Sequence, residues 1–203
     1  MKILVFGATG PTGRQVLSCA LKRRHTVTAL VRNPDALSGA GIEVFRGDVT
    51  LPETLVSAFS QNYDAVISVL GAPQHDATML RAIGTKNIIQ AMKKTSTRRL
   101  ITLGQAEPEF FHPIARILMP IAFKFPLLDK RYVERYVQNS NLDWTLVCPP
   151  LLTDASARQN YRILEYPPSK NYIRELSKAD LADCLLRVVE ENLYICEKII
   201  VSD

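Results

Sequence analysis

The sequence predicts an α/β fold in which a mainly parallel sheet carries helices on both faces. Short apolar runs rich in β-branched residues alternate along the chain with segments whose apolar residues recur three or four positions apart. Strands joined through helices run parallel, and such crossovers cover both sides of a sheet. With 203 residues, 47% of them hydrophobic and 22% charged, the chain suits one compact core. We therefore expect residues 1–203 to form a single doubly wound domain.

The strands are predicted from apolar runs that are too short for helices. They are Ile3–Phe6, Thr26–Val31, Ile42–Phe45, Ala65–Leu70, Leu100–Leu103, Thr145–Cys148 and Ile199–Val201. The helices are predicted where apolar residues follow a helical period. They are Thr12–Lys22, Pro52–Phe59, Thr78–Lys93, Asp129–Asn139 and Lys178–Val189. At the start of the last helix, Ser177 and Asp180 have the spacing of an N-terminal capping pair.

A glycine-rich segment, Gly7-Ala8-Thr9-Gly10-Pro11-Thr12-Gly13, connects the first strand to the first helix. Glycines are needed there because the chain turns sharply, the backbone approaches a pyrophosphate, and the helix packs closely on the sheet. Free N–H groups at the helix N-terminus then face the anion. We interpret the segment as the dinucleotide-binding loop of a Rossmann domain, with a purely structural glycine turn as the alternative.

The end of the second predicted strand indicates which dinucleotide is bound. NAD-binding folds present a carboxylate there, roughly 20 residues after the glycines, to the ribose 2′-hydroxyl. This chain has Val31-Arg32 instead, and Arg32 lies 25 positions after Gly7. A guanidinium suits a 2′-phosphate, so we expect NADP (NADPH) as the cofactor. The alternative is a solvated arginine at a strand end.

Two stretches interrupt the alternation at loops where this class of sheet handles ligands. The first, Glu107–Leu128, is apolar but broken by prolines and charged side chains, a composition that disfavours a membrane span. It is interpreted as an apolar flap over the nicotinamide or a partner-binding surface, with plain core packing as the alternative. The second, Leu151–Leu176, is expected to hold one short strand pair.

Charge and composition argue against several classes of function. The 25 Lys and Arg residues against 20 Asp and Glu give a net charge of +5. Much of the excess lies in 22–24 and 93–99, at predicted helix ends, where cations complement the helix dipole. No recognisable nucleic-acid-binding module is present. His25, His75 and His112 have no metal-ligand spacing, so no metal is predicted.

The N-terminus and the cysteines indicate a cytoplasmic location. The first apolar run ends at the glycines after four residues, Ile3–Phe6, and does not resemble a signal peptide. The cysteines form no C-x-x-C pair and lie in apolar patterns, so we expect reduced core thiols. They are Cys19, Cys148, Cys184 and Cys196.

Further motifs in order along the chain carry a resemblance to a known family. They are Val31-Arg32, Gly47-Asp48-Val49, Val69-Leu70-Gly71 and Leu142-Asp143-Trp144 leading to Pro149-Pro150. With the glycine loop, they make the chain resemble atypical short-chain dehydrogenases/reductases of the biliverdin reductase B, or flavin reductase, type. It is also similar to NmrA-like proteins, some of which bind the dinucleotide without catalysis. The resemblance implies a Rossmann fold and NADP binding, and only weakly an activity.

The resemblance also implies roles for individual residues. Thr9, Gly10, Thr12 and Gly13 would hold the pyrophosphate, next to Gly7, and Arg32 the 2′-phosphate. Asp48 and Val49 would lie against the adenine. Leu70 and Gly71 would line the path of the ribose and diphosphate. Leu103 to Gln105 and Pro149-Pro150 would border the nicotinamide. Val49, Leu70 and Leu103 could equally be ordinary packing at buried strand ends.

The chain departs from the reductase pattern where substrate is handled. Gln105 stands where the reductase has a serine, and Leu151 where it has a histidine. Glutamine can donate a hydrogen bond but cannot relay a proton at neutral pH. Asp129-Lys130 replaces Asp-His, which would place an ammonium at the pocket rim; the alternative for Asp129 is a helix cap. No catalytic residue is identified from these positions.

The usual Tyr-x-x-x-Lys pair of short-chain dehydrogenases needs both residues on one helix face. Tyr166 with Lys170 and Tyr194 with Lys198 have the spacing but not the helix, because prolines follow Tyr166 and the second pair enters a strand. On the expected helix, Tyr132 and Tyr136 are interpreted as packing residues.

This absence favours hydride delivery to a flavin, quinone or similar conjugated acceptor, whose product anion is delocalised and needs no protein acid. The alternative is a catalytically inactive, NADP-binding sensor of NmrA-like type that signals to a protein partner through residues 107–128.

Overall fold

The computed structural model describes residues 1–71, 79–104, 124–168 and 175–203. The strands are β1 Lys2–Phe6, β2 Thr26–Val31, β3 Glu43–Arg46, β4 Ala65–Ser68, β5 Arg99–Leu103, β6 Asp143–Cys148, β7 Leu152–Thr153, β8 Arg162–Glu165, β9 Leu176–Ser177 and β10 Glu197–Ser202. Eight of them form one sheet in the order β3-β2-β1-β4-β5-β6-β10-β8, in which only β8 is antiparallel to its neighbour. β7 and β9 form a separate parallel pair.

The described helices cover both faces of this sheet. They are α1 Pro11–Lys22, α2 Leu80–Met92, α3 Lys124–Gln138 and α4 Lys178–Glu190. α1 and α4 pack against each other and bury Val16 and Leu185 in one core. α2 and α3 pack side by side and bury Ile88 and Val133 in the other. The predicted doubly wound α/β fold is confirmed, and its parallel strands end at the same edge of the sheet.

The helix expected over Pro52–Phe59 is wrong, because that region forms two short 3-10 helices, Pro52–Leu55 and Ala58–Ser60. Hydroxyl groups compete for the backbone there. The Thr54 Oγ1 donates to the Leu51 carbonyl at 2.8 Å, and the Ser60 Oγ donates to the Ser57 carbonyl at 2.6 Å. Such local bonds favour tight turns over a continuous α-helix.

Helix α3 begins at Lys124, earlier than the predicted Asp129, and therefore includes the last residues of the stretch interpreted as a flap. The proline at 126 falls in its first turn, where a missing N–H removes no helical hydrogen bond. The remainder of the predicted flap, 107–123, and Gln105 lie outside the described residues.

The capping pair predicted at α4 is confirmed. The backbone N–H of Asp180 donates to the Ser177 Oγ at 2.9 Å. The buried Asp180 carboxylate also accepts the N–H groups of Arg158, at 3.0 and 3.1 Å, and of Gln159, at 2.8 Å. The start of α4 thus holds the loop after β7 in place.

The stretch 151–176 contains more pairing than one isolated strand pair. Leu152 pairs with Leu176 in the small parallel sheet, while β8 joins the edge of the main sheet beside β10. Cys148 and Cys184 are buried thiols as expected, and Cys19 is partly buried. The expectation of a core position is wrong for Cys196, which is exposed in the turn before β10.

Within the described ranges, no helix has the length and apolar character needed to cross a membrane. The same residues contain no group of three or more His, Cys, Asp or Glu side chains that could hold a metal ion.

Candidate dinucleotide-binding site

A cleft of about 310 Å³ opens at the carboxyl ends of the strands, around β1, where the strand order reverses between β2 and β4. This switch point is where open α/β sheets bind ligands. The cleft is lined by the whole glycine-rich loop together with Leu30, Val31, Arg32, Gly47, Asp48, Val49, Val69, Leu70, Gly71 and Leu80. It therefore brings together the predicted contacts to the diphosphate, adenine and ribose, but none of the residues expected to border the nicotinamide, 103–105 and 149–150, of which Gln105 lies outside the described residues.

Two glycines of the loop are required by its geometry. Gly7 has a φ of 78°, and a Cβ built on it would lie 2.6 Å from the Val69 carbonyl oxygen. A Cβ on Gly13 would lie 2.1 Å from the Gly7 carbonyl oxygen. A Cβ on Gly10 would meet that oxygen at 3.4 Å, close to ordinary contact. Gly7 and Gly13 thus let β1, β4 and α1 converge beneath the cleft.

The N-terminus of α1 is well suited to an anion. Its N-cap, Gly10, supplies no side-chain cap, Pro11 follows it, and the first turn contains no acidic residue. The positive end of the helix dipole is therefore not neutralised by α1 itself, and its first amide groups face the cleft. Thr12 and Gly13 line the cleft at this end, together with Gly10 and Pro11.

At the other end of the cleft, the exposed Arg32 lies near the Asp48 carboxylate, which already accepts hydrogen bonds from Thr50. Arg32 forms no ion pair with any described residue. The Asp48 carboxylate accepts hydrogen bonds from the Thr50 N–H at 2.9 Å and the Thr50 hydroxyl at 2.8 Å. The backbone bond from Thr50 is the main cause that lowers the Asp48 pKa, and the charge of Arg32 contributes.

Helix α2 supports the apolar wall of the cleft through two residues that sequence reasoning did not single out for a role. A Cβ on Gly84 would lie 2.9 Å from both the Leu70 Cδ1 and the Val49 Cγ2. The buried Asn87 side chain donates to the Val49 carbonyl at 2.9 Å. A glycine and an asparagine in the middle of a helix are the available signal, since both weaken an isolated helix.

Leu103 and Pro149 lie at the ends of β5 and β6, beside the cleft but not among its lining residues. Leu103 pairs with Val147, and the next residue, Gly104, donates its N–H to the Val147 carbonyl at 2.9 Å. Leu151, the other departure from the reductase pattern, is 64% exposed. Leu103 and Pro149 therefore lie at the carboxyl ends of neighbouring strands of the sheet.

A family model described as NAD(P)H-binding matches residues 7–192, nearly the whole chain. The chain belongs to this NAD(P)H-binding family. The photosystem II assembly factor Ycf39 of Synechocystis is 32% identical over 154 residues, covering 72% of this chain and 44% of that protein. The chain thus spans less than half the length of that relative.

Two solved structures have folds similar to that of this chain. A Streptococcus pneumoniae protein provisionally named an NADH-flavin reductase has a TM-score of 0.81 and 26% identity, covering 100% of this chain and 99% of that chain. A Veillonella parvula short-chain dehydrogenase/reductase in complex with NADP has a TM-score of 0.80 and 16% identity, covering 100% and 94%. The resemblance to atypical short-chain dehydrogenases/reductases and flavin reductases is confirmed.

The Asp129-Lys130 pair of this NAD(P)H-binding protein lies on α3. The helix-capping role expected for Asp129 is confirmed, and the capped helix is a neighbouring one: residue 129 lies inside α3, and its buried carboxylate accepts the Ala82 N–H at the start of α2. Lys130 follows it, and burial is the main cause that lowers the Lys130 pKa to about 8, with the Arg81 charge adding to the effect. A partly neutral amine in this position can bind or exchange a proton near neutral pH.

One helical turn further along α3, a polar cluster occurs that sequence reasoning missed. The Glu134 Oε1 lies 3.0 Å from the Lys198 Nζ, which lies 4.0 Å from the centroid of the Tyr166 ring. Its members come from α3, β10 and the end of β8, so no local spacing in the sequence reveals it. The Lys198 ammonium group thus lies over the aromatic face of Tyr166.

Neither candidate tyrosine-lysine pair lies on a described helix. Tyr194 lies in the turn before β10 and Lys198 within that strand, so they share no helix; Lys170 is outside the described residues. On α3 the Tyr132 and Tyr136 rings are 6.3 Å apart. Tyr136 is partly buried as expected, but the packing interpretation is wrong for Tyr132, which is 44% exposed.

Proposed function

We propose that this protein is an NADPH-dependent reductase that delivers hydride to a flavin, quinone or similar conjugated acceptor. The observation that carries the proposal is the cleft at the switch point, with a glycine loop that has no room for a Cβ at Gly7 or Gly13 at one end and, at the other, Arg32, which forms no ion pair with any described residue. The NAD(P)H-binding family match and the flavin reductase-type structural neighbour support the same reading.

The preference for NADPH rests on the side chains at the ribose end of the cleft. Arg32 is exposed and has no carboxylate partner among the described residues. Asp48, the nearby acid, already accepts two hydrogen bonds from Thr50. A 2′-phosphate would therefore meet a free guanidinium, which binds phosphate in a bidentate fashion.

In this proposal the protein acts mainly by positioning. The loop residues Thr9, Gly10, Thr12 and Gly13 hold the diphosphate, and Thr12 and Gly13 contribute their backbone amides at the start of α1. Val49, Leu70 and Gly71 line the adenosine path, and Leu103 and Pro149 border the nicotinamide. The NADPH, when bound, supplies the hydride.

The acceptor class follows from the proton chemistry. Reduction of an isolated ketone needs an acid beside the developing alkoxide. Neither tyrosine-lysine pair of the required spacing lies on a described helix. A flavin or quinone accepts hydride as a delocalised anion that solvent can protonate, so this class needs no such acid.

A second candidate function is an NADP-binding sensor of NmrA-like type without catalytic activity. The exposed, apolar Leu151 at the proposed acceptor side favours it, because leucine offers no polar group to hold or protonate a substrate. In that case the cleft would bind NADP and pass the signal to a protein partner.

Two measurements on the purified protein separate these functions. Calorimetric titration gives the affinity for NADPH and NADH, and absorbance at 340 nm follows NADPH oxidation with FMN and with a soluble quinone. The reductase proposal expects binding and turnover. Tight NADPH binding without turnover of either acceptor would leave only the sensor, and failure of both nucleotides to bind would exclude both functions.

A further inference from the structure

The two helices on one sheet face enclose a second concavity, distant in the fold from the glycine loop. We call it the α2–α3 groove. It has a volume of about 450 Å³, and its walls include Lys86, Gln90 and Lys93 of α2 and Tyr132, Arg135 and Tyr136 of α3. None of these residues has a role in the proposed reaction.

The groove is basic, and its own helices do not neutralise it. Lys86, Lys93 and Arg135 are exposed and form no ion pair with any residue that the structure describes. Helix α2 contains no Asp or Glu. The two carboxylates of α3 point to other partners, Asp129 to the start of α2 and Glu134 to Lys198.

Exposed apolar groups accompany this charge. Tyr132 is 44% exposed, Ile83 40% and Leu128 42%. Ile83 shares a helix face with Lys86 and Gln90, and Leu128 shares one with Tyr132, because residues three or four apart are neighbours on a helix surface. Tyrosine and arginine are among the residue types that contribute most binding energy at protein interfaces.

We propose that the α2–α3 groove is a docking site for an acidic, amphipathic segment of another protein. The charge of the walls selects glutamate and aspartate, and the tyrosines and aliphatic side chains accept the apolar face. Helix α2 has 13 residues and spans about 20 Å, which matches about three to four turns of a bound helix.

Other occupants fit the groove less well. A second copy of this chain docked by two-fold symmetry would bring the same three cations against each other, and like charges at an interface are costly. A flat layer of anionic headgroups would meet the rims of a concave groove but not its floor. The acidic segment is the occupant that satisfies both shape and charge.

The test uses a fluorescein-labelled designed 14-residue helical peptide with glutamates on one face and leucines on the other, and a matched peptide with glutamine for glutamate. Fluorescence anisotropy measures their affinity for the full chain. We expect the glutamate peptide to bind at least tenfold more tightly than the glutamine peptide, and more weakly as salt is raised. The double variant Lys86→Glu/Arg135→Glu should lose at least tenfold in affinity for the glutamate peptide.

The control variant Lys22→Glu/Arg24→Glu makes the same change in net charge at the end of α1 and should bind as the wild type does. Melting temperature and NADPH affinity of both variants establish that they fold. Equal affinity for the two peptides, or an unchanged affinity in the groove variant, would overturn the proposal. So would a dimer in sedimentation that the groove variant abolishes, or binding to phosphatidylserine vesicles that depends on the groove while the peptide does not bind.

Discussion

The carboxylate of Asp129 on α3 accepts the backbone N–H of Ala82 on α2 at 2.8 Å. Its second oxygen accepts the Arg81 Nε–H, also at 2.8 Å. The residue at the N-cap of α2, Met79, offers no side-chain cap and has a φ of 56°. A neighbouring helix therefore supplies the cap that α2 lacks, through a buried carboxylate that also forms an ion pair with Arg81.

We expect Asp129→Ala to destabilise the protein by about 3 kcal/mol, because it removes a helix cap and the ion pair that the buried carboxylate forms with Arg81. Urea denaturation followed by circular dichroism gives the change in free energy of unfolding. The matched control is Asp154→Ala, which removes the partner of Lys178 at a site where Asp154 is 85% exposed. That loss should be about 1 kcal/mol or less, and similar losses in both variants would contradict the capping role.

Gly13→Ala should disrupt the loop, because its Cβ would fall 2.1 Å from the Gly7 carbonyl oxygen. We expect a lower melting temperature and at least a tenfold loss of NADPH affinity, since α1 must move away from the turn. Gly10→Ala is the matched control, because its Cβ would stand 3.4 Å from the same oxygen. A melting temperature equally low in both variants would show that the close approach at Gly13 is not the cause.

Arg32→Ala should weaken NADPH binding by about 10- to 100-fold, equivalent to about 1.4 to 2.8 kcal/mol, and leave NADH binding unchanged. The reason is that only NADPH carries the phosphate that the guanidinium would bind. Calorimetric titration of both nucleotides measures the two affinities. Arg131→Ala, on exposed α3 surface, controls for the loss of one positive charge. Equal losses for NADPH and NADH would refute the role assigned to Arg32.

Lys130 should make stability depend on alkaline pH. Its pKa in the folded protein is lowered to about 8, below the value of about 10.4 for an unfolded chain, so the unfolded state binds more protons between these values. The wild type should therefore gain stability as pH rises from about 8 to 10, relative to Lys130→Met, which carries no titrating group. Denaturation curves of both proteins at pH 7.5, 9 and 10 measure this difference. If the free energy of unfolding of both proteins changed with pH in the same way, burial would not disfavour the charged form of Lys130.

The strands were the most predictable part of the fold. A parallel strand covered on both faces is a continuous apolar run, which is why β2 matches its predicted bounds, Thr26–Val31, and β1 differs by one residue. The glycine loop was equally clear, since its steric demands act between residues close in sequence. Short-range signals of this kind can be read directly from the chain.

The contacts that sequence reasoning missed join residues far apart in the chain. Asp129 was expected to cap a helix, but the sequence did not reveal that the capped helix is α2, which packs beside the helix that contains Asp129. Lys198 and Tyr166 come together because β8 pairs antiparallel with β10, and no local sequence pattern predicts that pairing. The exposure of Tyr132 likewise depends on how α2 and α3 are spaced.

Gly84 leaves room for the Val49 and Leu70 side chains to press directly onto α2, while the opposite side of that helix forms a wall of the α2–α3 groove. Helix α2 therefore borders two separate cavities, the cleft and the α2–α3 groove. If a ligand in one cavity displaces α2, the free energy of binding in the other cavity changes. This coupling free energy is the same whichever ligand binds first. A bound nucleotide would then change the affinity of the α2–α3 groove for a protein segment, and the reverse, although the two ligands do not touch each other.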